Sequence, residues 1–461
     1  MKKNNNHKKL DMLHGPIWNK LPLFALPVAA TAVLEQLFNA SDLLIVGNFS
    51  GDGKTVAVAA VGANSSIISL IVNLFVGISL GVNVVIANAI GRNDKSSVTK
   101  SVHTSAIVSL LAGVFVMILG EIIADSLMSS VMVPEDVFHD ALLYLRIYLI
   151  GMPVILLYNF EAAIFRSIGD TKTPLVILAL SGILNVLLNL FFVAVLGMSV
   201  NGVAIATVVS NVFSAALLFY ILVNTNELIH VDIRQLWIDG KVLRQIMKIG
   251  FPAGIQGAVF ALSNIVIQSA INSLGLIVMA ASAAAYSIEI FAYIILNSFS
   301  LACTTFVGQN YGAGQLLRCR KILILCIAED AIATVFSILL ILFTGKELLS
   351  FFNDDPHVIS TGYTRLVMVF STYIFSMFYE NMSGYMRGFG ISLIPALVTT
   401  LGICGVRILW IEEFFPFHRS FSCILTAYPA SLSVTAVMIF IVLVLFHPSK
   451  RNVSNNGEIE L

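Results

Sequence analysis

LPVAATAVLEQLFNASDLLIVGNF (Leu26–Phe49) holds two acids, Glu35 and Asp42, inside a run that is otherwise apolar, small or uncharged. It is long enough for a helix to cross ~30 Å of hydrocarbon, which takes about 20 mostly apolar residues. Runs of the same length and character recur along the chain. Approximate spans fall at 21–48, 57–85, 101–125, 141–166, 174–197, 201–223, 248–272, 279–305, 321–345, 361–386, 394–415 and 420–446. Of the 461 residues 58% are hydrophobic and 11% charged, which excludes a soluble domain. Helices rather than a barrel follow, because barrel strands would be about 10 residues of alternating character. The expected fold is an all-α membrane protein of twelve transmembrane helices.

Outside these runs, charge sets the orientation. Lys2, Lys3, Lys8, Lys9, Lys20, Arg92, Lys95, Lys100, Lys172, Arg234, Lys241, Arg244, Lys248, Arg318, Arg320, Lys321, Lys450 and Arg451 fall on one side. The other side carries little beyond Lys54, Lys346 and Arg419. This bias places both termini in the cytoplasm of a bacterial inner membrane. A full-length first helix without a small-residue cleavage site argues against a removed signal peptide. The five cysteines form no CxxC pair and read as packing residues.

A shift of about 221 positions superimposes four landmarks. Gly91 meets Gly312, RSIGDTKTP (Arg166–Pro174) meets RGFGISLIP (Arg387–Pro395), Tyr158 meets Tyr379, and VPEDV (Val133–Val137) lies opposite NDDPHV (Asn353–Val358). Each half holds an even number of spans. The halves are therefore expected as two six-helix bundles related by a pseudo-twofold axis along the membrane normal. The expected organisation is a cytoplasmic tail at 1–20, an N-lobe at 21–223, a linker at 224–247, a C-lobe at 248–446 and a second tail at 447–461. Two facing bundles that rock to expose a cleft to alternate sides suit transport better than catalysis.

An ionisable group inside a span costs at least ~2.5 to 3.5 kcal/mol, which makes each one a functional candidate. Thr31, Glu35, Asn39 and Asp42 share one stripe of the first span. Asn185 and Asn189 lie four apart on the fifth, and Thr207 is on the sixth. A carboxylate with amide and hydroxyl oxygens suits a hard monovalent cation, and a buried carboxylate suits a proton equally. Tyr158, Phe160, Tyr293, Tyr379 and Met382, with Glu289 and Glu380, are the candidate lining of a substrate cavity, where aromatic faces attract organic cations by ~0.5 to 2 kcal/mol. Arg146, Arg365 and Arg407 are the basic residues in or near spans away from the cytoplasmic ends. The first two are expected to snorkel to the outer interface.

The first-span stretch resembles the multidrug and toxic compound extrusion (MATE) family. So do GRNDKSSVTKS (Gly91–Ser101), RSIGDTKTP, GMSVNGVAIATVVS (Gly197–Ser210) and GQNYGAGQ (Gly308–Gln315). The likeness runs from about residue 20 to 446 and implies an antiporter exchanging cationic or amphipathic compounds for Na+ or H+. It implies a monovalent-cation site at Asp42, Asn185 and Thr207, matching the family's first-helix acid, fifth-helix amide and sixth-helix hydroxyl. Asn189 departs from it, standing where bacterial and archaeal members have aspartate; Glu35 is a candidate to restore that charge. Another branch places acids in helices seven and ten. Here helix seven has none, whereas helices eight and ten carry Glu289 and Glu380.

An intramembrane enzyme would need a nucleophile and base or a metal cluster at membrane depth. The histidines lie in tails, loops or span ends, and no HExxH motif occurs. The runner-up is a flippase for lipid-linked oligosaccharide or peptidoglycan precursors, which would place cations in a central cavity. Expected partners are small organic substrates and the bilayer, without nucleic acid or a cofactor other than the coupling ion, for a monomeric protein.

Overall fold

The computed structural model describes residues 10–50, 54–130, 133–446 and 448. Lys2, Lys3, Lys8, Lys9, Lys450, Arg451 and nearly all of the 447–461 tail lie outside them. Among the described residues ten helices are long and apolar enough to cross a membrane, and two bent helix pairs bring the count to twelve. No strand occurs among them. The fold is all-α.

The helices are α1 (Lys20–Phe49), α2 (Lys54–Gly91), α3 (Lys95–Ser130), α4 (Glu135–Ile150), α5 (Met152–Ser167), α6 (Lys172–Asn189) and α7 (Val200–Asn224). They continue with α8 (Gly240–Asn272), α9 (Leu276–Gly312), α10 (Leu316–Ser350), α11 (Pro356–Phe370), α12 (Tyr373–Gly388), α13 (Leu393–Thr399), α14 (Val406–Leu409) and α15 (Phe421–Phe446). The fourth sequence span is α4 and α5, bent by 51° at Gly151, where Pro153 suits the first turn of α5. The tenth is α11 and α12, bent by 45°.

The chain divides into two compact units. Unit 1 holds residues 30–90 and 94–247, and unit 2 holds 10–29, 91–93 and 248 onward. Residues 10–29 group with unit 2 because their apolar side chains have a core to enter. Met12, Ile17, Leu21 and Phe24 are buried with Cys303, Phe306 and Val307, and Asn310 Nδ2 donates to the Met12 carbonyl at 3.0 Å. In unit 1 the core gathers Ile45, Val46, Met128, Leu145, Leu149 and Val203. A second core in unit 2 gathers Ile271, Leu296, Leu366, Phe370 and Ile424.

Backbone geometry repeats along with sequence. Gly169 (φ 84°) and Gly390 (φ 82°) occupy equivalent turns, each in the left-handed region that glycine enters without steric cost. A π-helical turn follows α6 at Leu190–Val195, and another follows α14 at Trp410–Phe414. Four cysteines are buried and Cys423 is half-buried, all as free thiols. The linker is tied down within unit 1: Lys100 pairs with Asp239 at 3.4 Å, and the Asp239 amide donates to Thr104 Oγ1 at 3.0 Å.

Candidate functional site

Three helices of unit 1 converge on one carboxylate. Asp42, on α1, is 5% exposed. Its Oδ1 accepts from Asn189 Nδ2 at 2.5 Å, and its Oδ2 accepts from Thr207 Oγ1 at 3.1 Å. Asn189 Nδ2 also donates to Asn185 Oδ1 at 3.1 Å, and Asn185 Nδ2 donates to Thr207 Oγ1 at 3.4 Å. Asn185 and Asn189 meet because residues four apart share a helix face. α1 and α6 come together where Phe38 lies against Gly182; a Cβ there would fall 1.6 Å from the ring. The α-helical ladder of α6 gives way to the π turn immediately after Asn189, a departure common at functional sites.

The electrostatics are unusual for a membrane interior. Asp42 forms no ion pair with a lysine or arginine among the described residues. The oxygen of Asn189 is buried without a hydrogen-bond partner. Two neutral donors offset only part of the cost of a buried carboxylate, so its charge has no full counterweight among the described residues. A transition-metal centre is not indicated, since the described residues hold no group of three or more His, Cys, Asp or Glu.

Glu35 stands apart from this network. It is on an exposed part of α1, within electrostatic range of Arg166 and Tyr158, and makes no hydrogen bond to Asp42 among the described residues. Of its stripe, Thr31 and Asp42 are buried whereas Glu35 and Asn39 are exposed.

The aromatic and acidic candidates for a cavity lining are buried in their own units. In unit 1 these are Tyr158 and Phe160; in unit 2 they are Tyr379, Met382, Glu289 and Glu380, with Tyr293 half-buried. Tyr379 and Met382 pack with Ile403 and Leu432, so their apolar faces already have neighbours. Tyr293 donates its hydroxyl to Glu380 Oε1 at 3.2 Å. Glu289 is engaged by Arg365 through two parallel bonds, Nε to Oε1 at 2.7 Å and Nη2 to Oε2 at 2.9 Å. Arg365 also donates to Ser282 Oγ at 2.6 Å and to the Tyr428 hydroxyl at 3.3 Å.

The expectation that Arg365 snorkels is therefore overturned. It is 3% exposed, because a bidentate carboxylate on a neighbouring helix satisfies it better than the interface would. Arg146 is half-exposed and reaches Asp125 at 2.6 Å, a surface pair. Arg407, one of the three span arginines noted in the sequence, is buried as well, and two further buried groups, Glu161 and Asp330, were not singled out by the sequence. Arg407 donates to Ser431 Oγ at 3.1 Å, with its guanidinium 4.4 Å from the Tyr428 ring centre. Glu161 is fully buried with neither carboxylate oxygen partnered, and Asp330 is buried on α10. The signal for Asp330 was the charged pair Glu329–Asp330 inside the apolar run 321–345.

The MatE family model matches residues 27–191 and 252–411, more than half of the chain and one segment in each sequence half. The chain belongs to the MatE family. Among MatE relatives, the probable multidrug resistance protein YoeA of Bacillus subtilis is 26% identical over 436 residues, covering 92% of this chain and 93% of that one. An FAD transporter of Shewanella oneidensis is 24% identical, covering 76% and 77%. The fold matches a crystal structure of MATE in complex with MaL6 at a TM-score of 0.88 and 20% identity, covering 96% of this chain and 99% of that one. As a MatE protein the chain is a multi-pass membrane transporter and not an enzyme.

Proposed function

We propose that this protein is a secondary active antiporter that exports small organic, cationic or amphipathic compounds in exchange for Na+ or H+ by alternating access. The observation that carries the reading is the buried Asp42 carboxylate, held by Asn189 and Thr207 with no ion pair among the described residues. A group so placed accepts one positive charge readily and releases it when its surroundings change, which is what coupling requires. The multidrug name carried by YoeA supports the substrate class. The positive-inside bias supports a plasma-membrane location with both termini in the cytoplasm. Monomeric action, without nucleic acid, completes the proposal.

Ethidium efflux from proteoliposomes tests it, under an imposed sodium gradient and separately under a pH gradient. Wild type should export under one of them, naming the ion, and Asp42→Asn should abolish the gradient dependence. Export that survives Asp42→Asn unchanged would sink the reading.

Arg407 favours a second reading, in which the cargo is an anionic amphiphile such as a lipid-linked pyrophosphate. It is a buried guanidinium with no ion pair among the described residues. Failure of ethidium export under both gradients, together with loss of lipid-linked precursor translocation in Arg407→Gln, would select it.

A further inference from the structure

Unit 2 contains a polar cluster that the sequence repeat does not generate. Asp330 is fully buried on α10. Its Oδ1 accepts from Thr334 Oγ1 at 3.0 Å, one turn along the same helix, and its Oδ2 accepts from Asn381 Nδ2 of α12 at 2.5 Å. Asn381 is itself fully buried and also donates to the Met377 carbonyl at 2.9 Å, yet its Oδ1 has no hydrogen-bond partner. No lysine or arginine pairs with Asp330 among the described residues.

The anatomy matches that around Asp42 group by group. Each aspartate accepts one asparagine amide at 2.5 Å and one threonine hydroxyl near 3 Å, and each asparagine keeps a buried oxygen without a partner. Duplication does not explain the likeness. One repeat on from Asp42, Asn189 and Thr207 stand Ser263, Trp410 and Tyr428. The second cluster is assembled from other helices, α10 and α12, pressed onto α9 where a Cβ on Gly384 would fall 2.5 Å from the Ser300 carbonyl.

Asn64 and Asn310 also keep a buried oxygen without a partner, but they spend their amide hydrogens on backbone carbonyls, whereas Asn189 and Asn381 each turn theirs to a buried carboxylate. An amide oxygen on the residue that binds the carboxylate is the kind of donor a hard cation accepts. The charged and titratable neighbours do not supply the missing charge. Glu380 precedes Asn381 on α12 and is bonded by Tyr293 of α9, Glu329 precedes Asp330 with both its oxygens unpartnered, and Cys326 lies one turn before. We infer that Asp330, Thr334 and Asn381 form a second site for a single positive charge, a sodium ion or a proton, in unit 2. This deepens the antiport reading by giving the second unit a coupling site of its own.

The test counts bound ions on purified, reconstituted protein, independently of any transported compound. Equilibrium binding of radioactive sodium is measured for wild type, Asp42→Asn, Asp330→Asn and the double variant. Where wild type binds no sodium, protons released on raising the pH are counted with an indicator dye. The expected result is one equivalent fewer in Asp330→Asn than in wild type, and two fewer in the double variant. An unchanged count in Asp330→Asn overturns the inference. A count lowered by Asp330→Asn but not by Asp42→Asn upholds it and removes the Asp42 reading instead. If Asp330→Asn does not fold, Asn381→Ser takes its place: a loss of affinity at one equivalent by roughly tenfold or more supports the site, and an unchanged titration overturns it.

Discussion

Asp42 in unit 1 and Arg365 in unit 2 are both buried ions held by a residue at the same place in the repeat, yet the signs are reversed. Thr207 donates to the Asp42 carboxylate, whereas its counterpart Tyr428 accepts from the Arg365 guanidinium. Arg365 has its counter-ion in Glu289, and Asp42 has none among the described residues. A paired ion is a fixture, since separating it exposes two charges to a poor solvent. A lone carboxylate among neutral donors keeps a charge that they offset only in part. One helical scaffold thus carries a closed ion pair in one unit and, in the other, a carboxylate held by neutral donors without a counter-ion among the described residues.

Breaking the fixture should produce the largest effect. Arg365→Leu leaves Glu289 buried and uncompensated and is expected to cost about 3 to 5 kcal/mol, read as a lowered thermal unfolding midpoint in detergent. Restoring neutrality with Arg365→Leu/Glu289→Met should recover much of that loss. Gly182→Ala comes next. The new methyl group strikes Phe38, and the shift of α1 against α6 should cost ~1 to 3 kcal/mol while weakening ion coupling at Asp42. A normally coupled Gly182→Ala protein would show that the contact does not position the carboxylate.

Asn189→Asp sharpens the comparison by adding a second carboxylate beside Asp42. Sodium affinity measured by calorimetry should rise by roughly tenfold, about 1.4 kcal/mol, and a fall would argue that the site carries a proton alone. The smallest effect belongs to the surface. Arg146→Ala removes a pair with Asp125 that solvent already screens, and a change in stability below about 1 kcal/mol is expected in the same unfolding assay.

Much of this was legible in the sequence because membrane burial writes itself in long apolar runs. The twelve spans follow from them, and the acid of the first span, the amides four apart on the fifth and the hydroxyl of the sixth meet around one carboxylate in the structure. Glu289 and Arg365 were visible separately but not as partners, since residues on different helices carry no mark of their pairing. The side chains proposed for a cavity were chosen for chemistry, and chemistry does not reveal packing: Phe160 is 1% exposed and Tyr379 2%. Asp330 was as conspicuous as Asp42 by charge. Its partner Asn381 stands beside Glu380, and an uncharged amide next to an acid carries no mark of its own.

The π turn after Asn189 has a consequence for insertion and deletion. It fits one more residue into its hydrogen-bonded ring than an α turn does, so the stretch Leu190–Val195 carries a surplus residue. Deleting one residue there should remove the bulge and let α6 run on as ordinary helix, with the segments before and after it keeping nearly their present rotation. Deleting a residue from the regular helix before Asn185 should instead swing everything beyond it by about 100° and carry both amides away from the carboxylate. The same lost codon is therefore absorbed after Asn189 and ruinous before Asn185.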